Sequence, residues 1–137
     1  MIIDASDMVL GRLCSFVAKK ALLGEKIEIL NCENVVIIGN GPDILEGYEA
    51  KRSRGHPYKG PFFPTLPNLI IRRTVRGMLP YRQYRGRVAF KNVRCYNDTP
   101  NEFKGKNIDK IEDFKLSSKH MKFMTMKELC MHLRGYK

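Results

Sequence analysis

The basic and acidic residues of this chain are segregated along the sequence, and this segregation constrains what the chain can fold into. Residues 50–97 contain twelve Lys or Arg residues and no Asp or Glu, whereas the other 89 residues carry thirteen basic and fourteen acidic side chains. The formal net charge of +11 therefore arises in one central segment. Because a dense field of one sign destabilises a compact chain unless a polyanion neutralises it, we expect residues 50–97 to face a polyanionic partner.

Two further details of this basic segment favour a nucleic acid over an ordinary solvated surface. Arginine outnumbers lysine nine to three, and the planar guanidinium group suits two-point contact with phosphate. Aromatic residues that can pack on bases or sugars are interleaved with the cations: Tyr58, Phe62, Phe63, Tyr81 and Tyr84. The cations are expected on loops as well as on a helix, which suits a folded RNA better than the regular major groove of DNA.

The N-terminal sequence IIDASDMVLGRLCSFVAKKALLGEKIEIL predicts a strand, a helix and a second strand. Apolar residues recur at helical spacing and form the expected buried stripe: Leu10, Cys14, Val17, Ala18 and Ala21. We expect Ser6 or Asp7 to cap this helix and Gly24 to end it. With a third strand over 35–38, the pattern predicts an α/β fold in which helices cover a mainly parallel sheet, within a single domain over 1–137.

The basic segment itself is expected to contain helices separated by a loop. A helix is predicted over 43–53, capped by Asp43 or the turn before it, and residues 55–67 form a loop because they hold four prolines and two glycines. A second helix is predicted over 68–78. Its buried face is expected to consist of Ile71, Val75 and Met78.

Three elements are predicted in the last third of the chain. Residues 85–96 are expected to form a short helix that runs into a strand, and residues 98–120 an exposed connection. The sequence TMKE at 125–128 has the form of a capping box, with Thr125 as the cap of a C-terminal helix. The apolar face of that helix is predicted to be Met126, Leu129, Cys130 and Leu133.

The residues that commonly carry catalysis or bind metals do not form such a site in this sequence. The four cysteines lie far apart without a CxxC pair, and they are expected to be buried free thiols. The three histidines lack zinc-ligand spacing with them. His56 is interpreted as a stacking or hydrogen-bonding residue beside Arg54 and Tyr58, because no nucleophile or acid partner lies near it in the sequence.

The stretch VVIIGNGPDI is similar to a nucleotide-binding turn, because a strand leads through glycines into a helix. Ile44 occupies the position at which the dinucleotide fingerprint requires a third glycine, and no P-loop is present. We therefore expect a structural turn, whose exposed amides retain the capacity to hold a backbone phosphate.

The sequence predicts a cytoplasmic protein without a membrane segment, cofactor, metal or small-molecule substrate. No apolar run approaches the roughly 20 residues that span a bilayer. The N-terminus MIIDASD carries two acids where a signal peptide has a basic region.

The motif RRTVRGMLP at 72–80, preceded by KRSRGHPYKGPFF and followed by YRGRVAFKNVRCY, resembles the L13 family of universal large-subunit ribosomal proteins in its archaeal and eukaryotic branch. The resemblance covers nearly all of residues 1–103. It implies a three-layer α/β/α domain with a mainly parallel central sheet, and a non-enzymatic role early in large-subunit assembly. The implied partners are large-subunit ribosomal RNA and neighbouring ribosomal proteins.

The charge pattern and the resemblance select the same residues for binding ribosomal RNA. By matching position, the family implies contacts from Lys51, Arg52, Arg54, His56, Arg72, Arg73, Arg76, Arg85 and Arg87. The remaining cations of the segment complete the predicted set: Lys59, Arg82, Lys91 and Arg94. Turns or close backbone approaches are expected at Gly55, Gly77 and Gly86. Two alternatives are an RNA-binding regulator outside the ribosome and a small nucleotide-binding α/β enzyme.

Overall fold

Helices and short strands alternate along the chain. A computed structural model describes residues 1–116 and 122–135. Its elements are β1 (Ile2–Asp4), α1 (Leu10–Leu22), β2 (Ile27–Leu30), β3 (Val36–Ile38), α2 (Gly41–Ser53), α3 (Pro67–Met78), α4 (Tyr84–Lys91), β4 (Val93–Cys95), β5 (Phe123–Thr125) and α5 (Met126–Arg134). Within the described ranges, no helix combines the length and the apolar character needed to cross a membrane.

The strands confirm the predicted α/β class. β1, β2 and β4 form a parallel sheet in that order, with Ile29 of β2 paired to Ile3 on one side and to Cys95 on the other. β3 does not extend this sheet and pairs antiparallel with β5 instead. β3 is hydrogen-bonded to the segment between β1 and α1, since the Val36 N–H donates to the carbonyl of Met8.

Helix α1 has the predicted buried stripe, and Leu13 is buried with it. The predicted cap by Ser6 or Asp7 is wrong, because the helix begins after Val9 without a side-chain cap. The Ser6 hydroxyl donates to Asp4 Oδ1 at 2.7 Å, and Asp7 adopts a left-handed conformation with φ of 61°. The helix ends as predicted before Gly24, whose φ of 92° is unfavourable for any residue with a side chain.

Helix α3 packs against α1 and β4, with Ile70, Ile71 and Val75 fully buried. Met78 is 43% exposed, so its predicted place on the buried face is wrong. The helix ends at Met78, and the chain then becomes extended at Leu79, which enters the core in its place.

Helices α2 and α5 lie against one another. Helix α2 begins two residues before Asp43, with Asn40 at the cap position, and buries no residue completely. The Glu49 carboxylate lies 2.8 Å from His132 Nε2, and the Arg52 guanidinium donates to the carbonyl of Leu133. These polar contacts join α2 to the C-terminal end of α5.

The predicted start and buried face of α5 are confirmed. The Thr125 hydroxyl accepts a hydrogen bond from the Glu128 N–H, and the Glu128 carboxylate accepts one from the Thr125 N–H. The predicted apolar residues of the helix are all buried.

The connection after β4 is less exposed than predicted. Phe103 is buried, and Ile111 and Phe114 pack against the core. The rings of Phe114 and Phe16 lie 5.2 Å apart. These few apolar residues anchor the connection, while residues 117–120 of the predicted segment lie outside the described residues.

Polar side chains at the carboxyl ends of the parallel strands bind one another. Asn31 Nδ2 donates to Asp4 Oδ1 at 2.9 Å, and Thr99 Oγ1 donates to Asn31 Oδ1 at 3.0 Å. Burial by itself raises the pKa of Asp4, but hydrogen bonds from Asn31 and Ser6 outweigh it, so that the pKa is lowered. This sheet edge often binds ligands in α/β proteins. In this protein the acidic group at that edge, Asp4, is engaged in structural hydrogen bonds.

Truncation of a side chain to alanine should destabilise the protein more on the buried side of α3 than on its exposed side. Replacing the fully buried Ile71 by alanine should lower the free energy of unfolding by about 2–5 kcal/mol. Met78→Ala on the same helix should lower it by less than about 1 kcal/mol, because the side chain is partly solvated. Urea unfolding followed by circular dichroism measures both variants. An equal loss for the two would contradict the observed packing of α3.

Candidate nucleic-acid interface

Three arginines project from α3 on the side away from its buried residues, and each guanidinium group lies over an aromatic ring. The distances to the ring centroids are 4.7 Å for Arg72 over Phe90, 4.8 Å for Arg73 over Phe63 and 5.4 Å for Arg76 over Tyr81. Cation–π contact of this kind orients the guanidinium plane and leaves its positive charge in place. The helix therefore presents three oriented cations.

The described part of the chain does not neutralise the basic residues of the central segment. In residues 1–116 and 122–135, no Lys or Arg of segment 50–97 lies within ion-pair distance of a carboxylate. Their side-chain hydrogen bonds go to neutral groups: Arg73 Nη1 donates to the Phe62 carbonyl at 3.1 Å, and Arg85 Nε to Gln83 Oε1 at 3.0 Å. The positive charge thus remains available to an external anion.

A row of concavities connects these cations into one surface. Arg76 and Arg82 line a concavity of about 620 Å³, and Arg72, Arg73 and Arg76 line the next, of about 260 Å³. Because Arg76 lines both, the two concavities are neighbours.

The row continues towards β4. Arg72, Lys91 and Arg94 line a third concavity of about 440 Å³. Lys91 and Arg94 also line a fourth concavity of about 360 Å³. We call the region of these four neighbouring concavities the basic surface, and its cations from the central segment are Arg72, Arg73, Arg76, Arg82, Lys91 and Arg94.

The loop before α3 adds a fifth concavity, of about 340 Å³, lined by Arg52, Arg54 and His56 together with Phe62 and Phe63. Since Arg73 contacts the Phe63 ring and the Phe62 carbonyl, the loop adjoins the basic surface.

The loop is shaped by a tight glycine turn. Gly55 has φ of 103°, and a Cβ atom there would lie 2.4 Å from the Cα atom of Gly60. The Gly60 N–H donates to the His56 carbonyl at 2.8 Å. The His56 ring lies 5.7 Å from that of Tyr58, whose backbone N–H donates to His56 Nδ1 at 3.3 Å. The predicted local role of His56 beside Tyr58 is therefore confirmed.

The remaining predicted cations are exposed but lie outside these concavities: Lys51, Lys59, Arg85 and Arg87. Lys51 lies over the Tyr48 ring, with its Nζ atom 4.5 Å from the centroid. The structure thus places these four cations beside the concave regions.

The charge pattern did not identify Lys26, which lines the fourth concavity with Lys91 and Arg94. Lys26 directly precedes β2, and the pairing of Ile27 with Val93 brings it beside β4. The sequence does contain a signal for this residue, because Lys26 is a basic residue directly before β2, and β2 pairs with β4 of the basic segment. Glu28 lines the same concavity and lowers the net charge at this end.

Two glycines of the basic segment have different surroundings. A Cβ atom on Gly86 would lie 2.2 Å from the Pro80 carbonyl oxygen, so the close approach at this position is internal to the protein. Gly77 is exposed on α3, and a Cβ atom there would meet no other atom within 4 Å. Nothing within the described part of the chain therefore requires a glycine at position 77.

The cysteines are free thiols. Burial raises the pKa of Cys14 to about 12 and that of Cys130 to about 11. The pKa of Cys32 is also raised, first by a hydrogen bond with Cys95 and then by burial. Because the thiolate is the reactive and metal-binding form, these three thiols are inert near neutral pH. Across the described ranges, no cluster of three or more His, Cys, Asp or Glu residues is arranged to hold a metal ion.

The fold and this site define the class: a small α/β protein with a continuous basic surface built on arginine and aromatic residues. A model of the family described as Ribosomal protein L13 matches residues 1–102. The chain belongs to the ribosomal protein L13 family, which confirms the resemblance drawn from its motifs. Members of this family are structural components and not enzymes.

Relatives align with nearly the whole chain. Large ribosomal subunit protein uL13 of Archaeoglobus fulgidus is 44% identical over 134 residues, which cover 96% of this chain and 86% of that protein. The protein of the same name from Methanopyrus kandleri is 45% identical over 138 residues, covering 98% and 86%. That of Methanocaldococcus jannaschii is 43% identical over 136 residues, covering 96% of each. The similarity thus extends beyond the first 102 residues.

The surroundings of the two glycines predict opposite effects on stability. Gly86→Ala should lower the free energy of unfolding by about 1–3 kcal/mol, because the added methyl group collides with backbone. Gly77→Ala should raise it by about 0.5–1 kcal/mol, because alanine has the higher helix propensity and the space is open. Thermal and urea unfolding test the pair. Destabilisation by Gly77→Ala would show that this glycine has a structural role within the protein.

Proposed function

We propose that this protein is a structural constituent of the large ribosomal subunit, binds large-subunit ribosomal RNA through its basic surface and supports early assembly of the subunit. The observation that carries the proposal is the row of cations that have no carboxylate partner among residues 1–116 and 122–135. The names of the relatives support it, because each is described as a protein of the large ribosomal subunit.

In the proposed complex, the arginines of α3 contact the phosphate backbone. Their guanidinium groups are already oriented by aromatic rings, so little side-chain freedom is lost when each one binds an anion. If six to ten phosphates are neutralised, counterion release makes the affinity fall by about a thousandfold or more between 50 and 200 mM salt, by analogy with duplex DNA. Electrostatic attraction thus supplies most of the affinity.

The loops flanking α3 extend the contact area. We assign RNA contacts to Lys51, Arg52, Arg54, His56 and Lys59 before the helix, and to Arg82, Arg85, Arg87, Lys91 and Arg94 after it. Loops rich in proline and glycine follow an irregular RNA contour more readily than a regular groove. Neighbouring large-subunit proteins are the second proposed class of partner, and the proposed location is the cytoplasm.

Removing two arginines of α3 should impair incorporation into the large subunit without impairing folding. In Arg72→Ala with Arg76→Ala, the buried residues of the helix are untouched, so the circular-dichroism spectrum should match that of the parent protein. Incorporation into large subunits should fall by about tenfold or more, because two phosphate contacts are lost. Sucrose-gradient fractionation of cell extracts, with detection of the protein in each fraction, measures the effect.

The matched control removes the same charge elsewhere. Arg12 and Lys19 are exposed on α1, outside the basic surface, and their replacement by alanine should leave incorporation nearly unchanged. Normal incorporation of the α3 double variant, or equal losses in both variants, would refute the proposed role of the surface.

Gly77 provides a second test, because we propose that it allows the RNA backbone to approach α3 closely. Gly77→Gln should weaken binding to a large-subunit RNA fragment several-fold without lowering the melting temperature, since its side chain occupies space beside the arginines. Gly11→Gln is the control, because Gly11 is also an exposed helical glycine with no atom near its Cβ position. Fluorescence anisotropy at fixed salt compares the RNA affinities of the two variants. Equal affinities would show that Gly77 does not lie in the interface.

A further inference from the structure

We infer that the concavity between α3 and β4 binds one unstacked nucleotide of single-stranded RNA, an inference that rests on the proposed function. Asn68, Arg72, Lys91, Arg94, Cys95 and Tyr96 line this concavity. Its volume of about 440 Å³ lies within the range of about 300–1,000 Å³ that is typical of sites for small ligands. A base extruded from a loop or bulge can enter such a site, whereas a base paired within a duplex is held in its stack.

Two side chains supply flat surfaces for a base. The Arg72 guanidinium is fixed by the Phe90 ring, and its buried Nε atom has no hydrogen-bond partner in the described part of the chain. The Tyr96 ring is held by Phe103, with the ring centroids 5.4 Å apart. Guanidinium planes and aromatic rings are the groups on which proteins stack unpaired RNA bases.

Asn68 supplies a group that can recognise the edge of a base. Its backbone N–H donates to Asn97 Oδ1 at 3.1 Å, and its Oδ1 accepts from the Leu69 N–H at 2.8 Å. These bonds fix the residue in the first turn of α3. Its Nδ2 group donates to no acceptor in residues 1–116 or 122–135, so it is available to an acceptor atom on a base.

The cations beside this concavity are placed to hold the phosphates that flank the nucleotide. Lys91 and Arg94 also line the adjoining concavity, where Lys26 is the third cation. A single strand whose base enters the first concavity can therefore continue along the second with its phosphates against Lys26, Lys91 and Arg94. This path explains why a cation outside the basic segment joins the surface.

Cys95 provides a built-in probe of occupancy, because it is half-buried in the wall of the concavity while Cys14, Cys32 and Cys130 are fully buried. The experiment treats the full chain with iodoacetamide and quantifies alkylation of each cysteine by peptide mass spectrometry. The probes are an RNA single strand of about ten nucleotides and the same strand annealed to its complement. Anisotropy measures the binding of each, so that both are used at equal saturation.

At saturation, the single strand should slow alkylation of Cys95 by about tenfold, and the duplex should leave it nearly unchanged. In Arg72→Lys, which keeps the charge but removes the flat guanidinium, protection by the single strand should fall by about tenfold. Arg12→Lys is the matched control, because Arg12 is exposed on α1 and lies outside the basic surface, and it should retain protection.

Each outcome decides a different claim. Binding of the single strand without protection of Cys95, equal protection by the duplex, or equal loss of protection in the two lysine variants would overturn the nucleotide site and leave the proposed function standing. Failure of both RNAs to bind at low salt would overturn the proposed function and the inference together.

Discussion

Burial of the apolar side of α3 is the interaction on which the basic surface depends. Ile70, Ile71 and Val75 are fully buried, and each contributes about 1.5–3 kcal/mol when removed from water. Two like charges about 8 Å apart in water repel each other by only about 0.5 kcal/mol. The apolar anchor therefore outweighs the repulsion between neighbouring arginines, so the helix does not need a bound anion in order to fold.

The aromatic rings order the long cationic side chains without neutralising their charge. A carboxylate partner would orient an arginine equally well, but it would cancel the charge needed to attract phosphate. A ring holds the guanidinium plane through its quadrupole and carries no net charge. This difference explains why Phe63, Tyr81 and Phe90 accompany the arginines in a segment that lacks acids.

Some local patterns in the sequence predicted the structure correctly. The stripe of α1 follows helical periodicity, and the start of α5 follows from the capping box. Met78 was misplaced because periodicity does not show where a helix ends, and Lys26 was missed because only strand pairing brings it to β4. The composition of the basic segment identified the candidate surface, but the stacking partners and the order of the concavities depend on contacts between residues distant in sequence.

The docking of α5 has a consequence for the nascent chain. Met126, Leu129 and Leu133 are fully buried, and the Met126 N–H donates to the Val35 carbonyl, so this helix closes the core built by the earlier elements. Translation proceeds from the N-terminus, so the ribosome releases every arginine of α3 before it makes the helix that completes their support. A newly made chain thus acquires its attraction for polyanions earlier than its full stability. In that interval, an RNA that captures the exposed arginines competes with folding.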